Sequence, residues 1–200
     1  MRKAVGWSSL TGTIARAVAP SSSSRPSRPL ADDSTRLAVL RPIEDDILHQ
    51  TGTRTEQAVF LAADGRVLFR KTGDPGRIDF TDAELAHLRH RVDLYTHNHP
   101  SGGSLGTTDV YLAMFLGVRE ANAFDPRVRY RVIRQGATWP HYRRAKRVVD
   151  RLLDEVRRDL QRQVNIFQIT AAEASSRYWH EVWMRFASEV DGVTYIREER

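Results

Sequence analysis

The sequence contains no cysteine, which excludes disulfide bonds, iron–sulfur clusters, zinc ribbons and cysteine nucleophiles. Any metal ion would therefore have to be held by histidine, aspartate or glutamate. There is also no run approaching the ~20 consecutive apolar residues of a membrane-spanning helix, so we expect no membrane partner. P-loop, G-x-G-x-x-G, G-x-S-x-G and H-E-x-x-H motifs are missing as well.

No acidic residue precedes Asp32, and the region before it is rich in serine, arginine and proline. Such a composition predicts a disordered basic tail over residues 1–36. It also fits an organellar transit peptide, and Arg2 and Lys3 ahead of a weak apolar stretch are similar to a secretory signal. We interpret the segment as the tail of a cytoplasmic protein, with the targeting alternatives left open.

The net charge of +6 is unevenly distributed along the 200 residues. Residues 37–126 carry nine basic and thirteen acidic side chains, whereas residues 127–162 carry twelve basic and four acidic ones. The basic segment includes a predicted helix from Arg143 to Arg162, whose charge is either a solvated face or a contact for nucleic acid or an acidic partner.

Periodic patterns predict the order hairpin, helix, strand, loop, helix, strand. Residues 56–73 alternate on both sides of Asp64-Gly65, which is typical of a β-hairpin. Thr81 with Glu84 predicts a capping box, residues 92–95 predict a strand, Asp109 to Ala123 a helix, and residues 127–136 a further strand. Two helices then follow, the second capped by Thr170-Ala-Ala-Glu173.

These elements indicate a mixed α/β (α+β) domain, a sheet flanked by helices with a C-terminal helical extension. We place the core at residues 37–138, after the tail at 1–36, and the extension at 139–200, basic in its first half.

The stretch YTHNHPSGGSLGTTD contains two histidines one residue apart and an aspartate after a glycine-rich loop. On an extended strand, residues i and i+2 face the same side, so His97 and His99 can face one ion, with Asp109 returning as a third ligand. This donor set predicts a catalytic Zn²⁺ site with one open position. The alternative is a polar turn in which residues 107–109 only cap a helix.

This stretch resembles the His-x-His-Pro…Ser-x-x-Asp motif of the JAMM (MPN+/JAB) metalloproteases, and its HNHPSG hexapeptide is similar to RadC-like proteins. The arrangement FRKTG…DFT…EL…THNHPSG further resembles JAB-like domains of phage-head proteins and polymorphic toxins. The resemblance covers about residues 52–135. It implies a JAB/MPN-like (cytidine-deaminase-like) fold and a zinc metallopeptidase or isopeptidase acting on a protein or peptide.

The resemblance also implies roles for individual residues. The zinc ligands fall on His97, His99 and Asp109, and the catalytic glutamate falls on Glu56. Glu44 and Glu84 are rivals, but only Glu56 lies on a predicted strand. Its alternative role is that of an exposed strand carboxylate.

The motif departs from the family pattern in one place. The loop is one residue shorter, so the family's serine corresponds to Gly106 when counted from Asp109 and to Thr107 when counted from the histidines. We expect Thr107 to support the oxyanion, with Thr108, Ser104 or a backbone N–H as substitutes. Two other functions stay open: a RadC-like or toxin-associated protein acting on or binding nucleic acid, and a non-catalytic JAB scaffold.

Overall fold

The computed structural model describes residues 33–51, 54–100 and 102–200. The helices are α1 (Asp33–Thr51), α2 (Asp82–Leu88), α3 (Thr107–Leu116), α4 (Tyr142–Asn165) and α5 (Ala171–Glu189). The strands are β1 (Gln57–Leu61), β2 (Val67–Thr72), β3 (Leu94–Asn98), β4 (Glu120–Phe124), β5 (Val128–Arg134) and β6 (Val193–Glu199). None of the helices in the described part of the chain could span a lipid bilayer.

One six-stranded mixed sheet forms the centre of this α+β fold, with the order β2-β1-β3-β4-β5-β6. Only β3 and β4 run parallel, joined through α3, and all other neighbours are antiparallel. In the register, Ala58 of β1 and Ala123 of β4 both lie beside His97 of β3. Two small side chains therefore flank the first histidine and leave room for its ring.

The two faces of the sheet are covered by different helices. On one face α1 packs Leu40 and Ile47 against Val59, Leu94 and other strand residues. The larger core lies on the opposite face and includes residues of α2, α3, α4 and α5. Helices α4 and α5 bury apolar stripes that the sequence predicted, namely Val149, Leu152, Val156 and Leu160 in α4 and Val182, Trp183 and Phe186 in α5.

Several local predictions are confirmed. The β1–β2 hairpin turns at Asp64-Gly65, where Gly65 has a φ of 83°. Both capping boxes are present, at Thr81 with Glu84 and at Thr170 with Glu173. In each box the threonine hydroxyl accepts a hydrogen bond from the backbone N–H of the glutamate, and the glutamate carboxylate accepts one from the backbone N–H of the threonine. The two bonds satisfy N–H donors that the start of a helix leaves unpaired.

The prediction of a helix from Asp109 to Ala123 is wrong at its C-terminal end. Helix α3 ends at Leu116 because Gly117 adopts a left-handed conformation with φ 75°, and Glu120–Phe124 is a strand. Glycine adopts this conformation without the steric cost that a Cβ carries, and it commonly ends helices.

Two further elements were not anticipated from the sequence. Helix α1 begins at Asp33, within the last four residues of the segment interpreted as a tail. The rest of that interpretation falls on residues 1–32, outside the described residues. Strand β6 lies within residues 139–200 and pairs along its whole length with β5, so the C-terminal segment completes the sheet as well as contributing helices.

Buried ion pairs connect the α1 face of the sheet. Glu44 of α1 is fully buried and accepts from Arg129 of β5, with Nε–Oε1 at 2.9 Å, and from Arg200, with Nε–Oε2 at 3.2 Å. Arg131 pairs similarly with the buried Glu120, with Nε–Oε1 at 2.8 Å. Buried charges are tolerated only when paired in this way, because each loses its hydration.

Candidate metal site

The two histidines lie at the carboxyl end of β3, a central strand of the sheet. The side chains of Tyr95 and His97 lie on the face of the main core, and their rings stack 4.8 Å apart with only 6° between their planes. Phe60 of β1 stacks on the other side of Tyr95 at 4.8 Å. This stack of three rings holds the His97 imidazole in one orientation, with 1% of the residue exposed.

Asp109 reaches the histidines from the first turn of α3. Gly106 precedes that helix, and its backbone N–H donates to Asp109 Oδ2 at 2.7 Å. Asp109 Oδ1 lies 3.4 Å from His97 Nε2, and Oδ2 lies 3.8 Å from His99 Nε2. Asp109 thus caps its helix and faces both imidazoles, so the capping and ligand interpretations of this residue are compatible.

The three side chains converge on one point. His97 Nε2 and His99 Nε2 are 2.9 Å apart, and one ligand atom from each of the three residues lies within 4.8 Å of the others. The side chains of His99 and Asp109 keep 16% and 18% of their surface exposed, whereas His97 keeps 1%. The site is therefore closed on the His97 side and open to solvent beside His99 and Asp109.

A backbone contact sets the tautomer of His99. Its Nδ1 lies 3.1 Å from the carbonyl oxygen of Gly103 in the glycine-rich loop, so Nδ1 carries the proton that it donates and Nε2 presents its lone pair to the convergence point. Gly103 has a φ of 107°, a conformation that favours glycine.

The electrostatics separate the two histidines. Burial, together with the neighbouring His97 charge, lowers the pKa of His99 to about 4. Burial also disfavours the charged form of His97, but the facing Asp109 carboxylate outweighs it and raises the His97 pKa. Burial works against ionisation of Asp109 too, yet His97 lowers the Asp109 pKa to about 2. His99 and Asp109 therefore need no deprotonation at neutral pH to act as ligands.

Glu56 lies immediately before β1 and is 8% exposed. Burial raises its pKa to about 7, with His97 opposing and Asp109 adding to the rise, so its carboxyl is close enough to sense both residues. A carboxyl group whose pKa is near the working pH can take up and release a proton readily. The structure thus brings Glu56 into the electrostatic environment of His97 and Asp109.

The two rival glutamates are engaged elsewhere. Glu44 lies on the α1 face of the sheet, where Arg129 and Arg200 bind its carboxylate. Glu84 completes its capping box and accepts from Lys71 Nζ at 2.6 Å. Glu56, by contrast, interacts electrostatically with His97 and Asp109.

The candidates for oxyanion support differ in their surroundings. The Ser104 hydroxyl is buried and lies 2.8 Å from the hydroxyl of Tyr195 on β6, so it is already engaged. Thr107 is the first residue of α3 and is buried, whereas Thr108 is exposed. A Cβ added at Gly106 would lie 3.5 Å from Asp109 Oδ2, which is ordinary contact, so the missing serine side chain is not excluded by space.

Sequence reasoning missed the residues that support the site. Asn98, between the histidines, bonds to the segment around Glu56, and Trp183 of α5 donates from Nε1 to the Leu105 carbonyl at 2.5 Å. The period-two alternation of β3 was a signal that Asn98 points away from the imidazoles. No local signal links Trp183 to a loop 78 residues earlier.

Two imidazole nitrogens and one carboxylate oxygen form a donor set that suits zinc, and three protein ligands are typical of catalytic rather than structural zinc sites. The described residues therefore contain a candidate metal-binding triad of His97, His99 and Asp109. In comparisons with known proteins, the chain matches no family model, no curated protein and no solved structure.

Proposed function

We propose that this protein is a zinc-dependent hydrolase of the JAMM type that cleaves a peptide or isopeptide bond. One observation carries the proposal: the convergence of His97, His99 and Asp109 beside a buried glutamate whose pKa is about 7. The motif resemblance, and a sheet in which a glutamate before an early strand precedes the histidine strand, support a JAB/MPN-like fold.

Different residues of the chain would bind the metal ion, transfer the proton and stabilise the oxyanion. His97, His99 and Asp109 would hold the ion, which when bound lowers the pKa of water and polarises the scissile carbonyl. Glu56 would accept the proton of the attacking water and return it to the leaving amine. Thr107, or a backbone N–H of the first turn of α3, would stabilise the oxyanion.

Metal analysis of the purified protein tests the site directly. We expect about one zinc ion per chain in the wild type and none in the His97→Ala, His99→Ala double variant, because two of three ligands are lost. A matched control is His87→Ala, which removes an exposed histidine of α2. Equal zinc in the wild type and the double variant would refute the metal site.

Hydrolysis tests the chemistry separately from metal binding. On a panel of linear peptides and lysine-linked isopeptides, Glu56→Gln should retain zinc and lose at least ~100-fold in kcat, because the amide cannot accept a proton. Glu84→Gln is the control, since that residue caps α2. Zinc binding without hydrolysis of any panel member by the wild type would favour a non-catalytic scaffold.

A second candidate function rests on the first turns of α4. Arg143, Arg144 and Arg147 are exposed, and within the described ranges no carboxylate pairs with them. Further along the helix, Arg151 and Arg162 are paired with Glu155 and Asp159. Unpaired arginines beside the positive end of a helix dipole suit phosphate groups, which supports a contact with nucleic acid.

Salt dependence tests this second candidate. Binding of a DNA or RNA duplex should weaken steeply with added salt, and replacing Arg143, Arg144 and Arg147 by glutamine should reduce the slope by about three. Replacing the ion-paired Arg151, Arg157 and Arg162 is the matched control and should change the slope less. Absence of binding at low salt would rule the candidate out.

A further inference from the structure

Asn98 is the central residue of the His-x-His stretch, and its side chain lies on the opposite side of the sheet from the two imidazoles. It is 1% exposed. The strand forces this arrangement, because successive side chains of an extended segment point to opposite faces. A polar side chain at position 98 must therefore find its hydrogen-bond partners on the α1 side of the sheet.

Those groups come from the segment around Glu56. Asn98 Oδ1 accepts from the backbone N–H of Gln57 at 2.7 Å, and Nδ2 donates to the carbonyl oxygen of Thr55 at 2.9 Å. Nδ2 also lies 3.3 Å from Oγ1 of Thr51, at the end of α1. The side-chain amide thus bonds to the residue before Glu56 and to the residue after it.

We propose that Asn98 is a positioning residue that fixes the backbone on both sides of Glu56 and thereby holds its carboxyl beside the metal ligands. This role for Asn98 rests on the proposed function, in which Glu56 is the base, whereas the hydrogen bonds of Asn98 do not depend on that function. Asn98 itself touches neither substrate nor ion.

The chemistry of the contact requires asparagine. The Gln57 N–H needs an acceptor and the Thr55 carbonyl needs a donor, and a carboxamide supplies both from one planar group. Aspartate would set an acceptor against the Thr55 carbonyl, whereas serine and threonine are too short to span both partners. A buried peptide group left without its partner costs ~1–3 kcal/mol, so the segment would move to regain hydrogen bonds to water.

The arrangement also couples the ligands to the base. His97, Asn98 and His99 are consecutive, so the backbone that places the two imidazoles also places the carboxamide that holds Glu56. A displacement of the end of β3 would move both sets of groups together, so the Glu56 segment would follow the imidazoles. This linkage passes through the sheet and does not need a direct contact between Glu56 and a histidine.

Titration of the Glu56 carboxyl in metal-free protein tests the proposal. The carboxyl carbon of ¹³C-glutamate-labelled protein is followed by NMR against pH, and Glu56→Gln identifies its signal. In Asn98→Ala and Asn98→Thr the midpoint should fall from about 7 towards about 4.5, because a loosened segment exposes the carboxyl to water. Asn98→Thr suits a strand and serves if the alanine variant does not fold.

Thr51→Val is the matched control. It removes the hydroxyl that contacts Asn98 from α1 but leaves both bonds around Glu56, so the midpoint should stay near the wild-type value. An unchanged midpoint in both Asn98 variants, or an equal fall in Thr51→Val, would overturn the proposal. Zinc binding is measured separately on the same variants, so a protein that binds no zinc would refute the proposed function without deciding the role of Asn98.

Discussion

At the scale of single residues, the side chains of β3 alternate between the two faces of the sheet and have different roles on each face. Tyr95 and His97 face the main core, where ring stacking orients the imidazole, while Thr96 and Asn98 face α1. Thr96 donates to the buried Glu44 at 3.2 Å. One five-residue strand therefore serves both the candidate metal site and the ion-paired face behind it.

The raised pKa of Glu56 predicts a pH-dependent stability in the metal-free protein. A folded-state pKa of about 7 exceeds the ordinary value of 4.5, so the folded protein binds the proton more tightly than the unfolded chain. Stability from this group is fully present below pH 4.5 and is lost as pH rises through about 7. The loss corresponds to about 3 kcal/mol.

Urea unfolding with a metal chelator, at a series of pH values, measures this loss. Glu56→Gln lacks the titrating group, so its free energy of unfolding should exceed that of the wild type at pH 8 by more than it does at pH 4. The difference between the two proteins cancels the contributions of all other titrating groups. A difference that does not change with pH would show that Glu56 titrates normally.

The triad could be predicted from the sequence because its geometry is local. Two histidines two residues apart in an extended segment share a face, and a short glycine-rich loop returns the chain to the first turn of a helix, where Asp109 lies. The burial of Glu56 and the hydrogen bonds of Asn98 could not be predicted. These hydrogen bonds join residues that are 41 and 43 positions apart in the sequence. Such contacts depend on which strands become neighbours, and side-chain patterns do not specify that.

At the scale of elements, α5 and β6 hold the loop that leads to Asp109. Trp183 of α5 donates to the Leu105 carbonyl, and Tyr195 of β6 contacts the Ser104 hydroxyl and the Nδ1 of His180 at 2.9 Å. The loop is therefore restrained by α5 and β6 at Leu105 and Ser104, as well as by His99 at Gly103. Its conformation depends on elements that follow it by more than 70 residues.

Trp183→Phe should weaken both the fold and the metal site. The substitution removes the buried hydrogen bond to Leu105, which we expect to cost ~1–3 kcal/mol, and the smaller ring leaves a cavity that adds to this cost. Zinc affinity should fall because Asp109 follows the released loop. Thermal unfolding and a competitive zinc titration measure the two effects.

Trp179→Phe is the control for this substitution. Trp179 lies on the same helix, is half-buried and contacts the Tyr178 ring. Its replacement should leave zinc affinity at the wild-type value. Equal zinc affinities in the two tryptophan variants would show that the Trp183 contact does not restrain the site.

Two of the elements that were not predicted, β4 and α1, share a physical reason. Strand β4 reads EANAF, in which alanine and glutamate favour helices, and it is a strand because it is buried between β3 and β5. Helix α1 contains Pro42 and buries the charged Glu44, so it lacks a clear apolar stripe. Tertiary contacts override local preference in both.

At the scale of the whole molecule, the C-terminal segment and the sheet share one core. Residues of α4 and α5 belong to the same buried cluster as residues of β1, β3 and α3. β6 also pairs with seven consecutive residues of β5. The segments 37–138 and 139–200 therefore contribute to one hydrophobic core.

Removing residues 139–200 should prevent folding. The deletion exposes the main core and leaves β5 as an uncovered sheet edge, a surface that promotes aggregation. Circular dichroism and gel filtration should show an unfolded or aggregated protein that binds zinc weakly. A soluble truncated protein with cooperative unfolding would show that residues 33–138 form an independent domain.

The buried Glu44 has a consequence for the order in which the protein is made. Its partners, Arg129 and Arg200, follow it by 85 and 156 residues. During synthesis α1 emerges early, but its carboxylate cannot be paired until most of the described chain has left the ribosome. Contacts between such distant positions form slowly, so we expect α1 to dock late, after the sheet that carries the histidines has assembled.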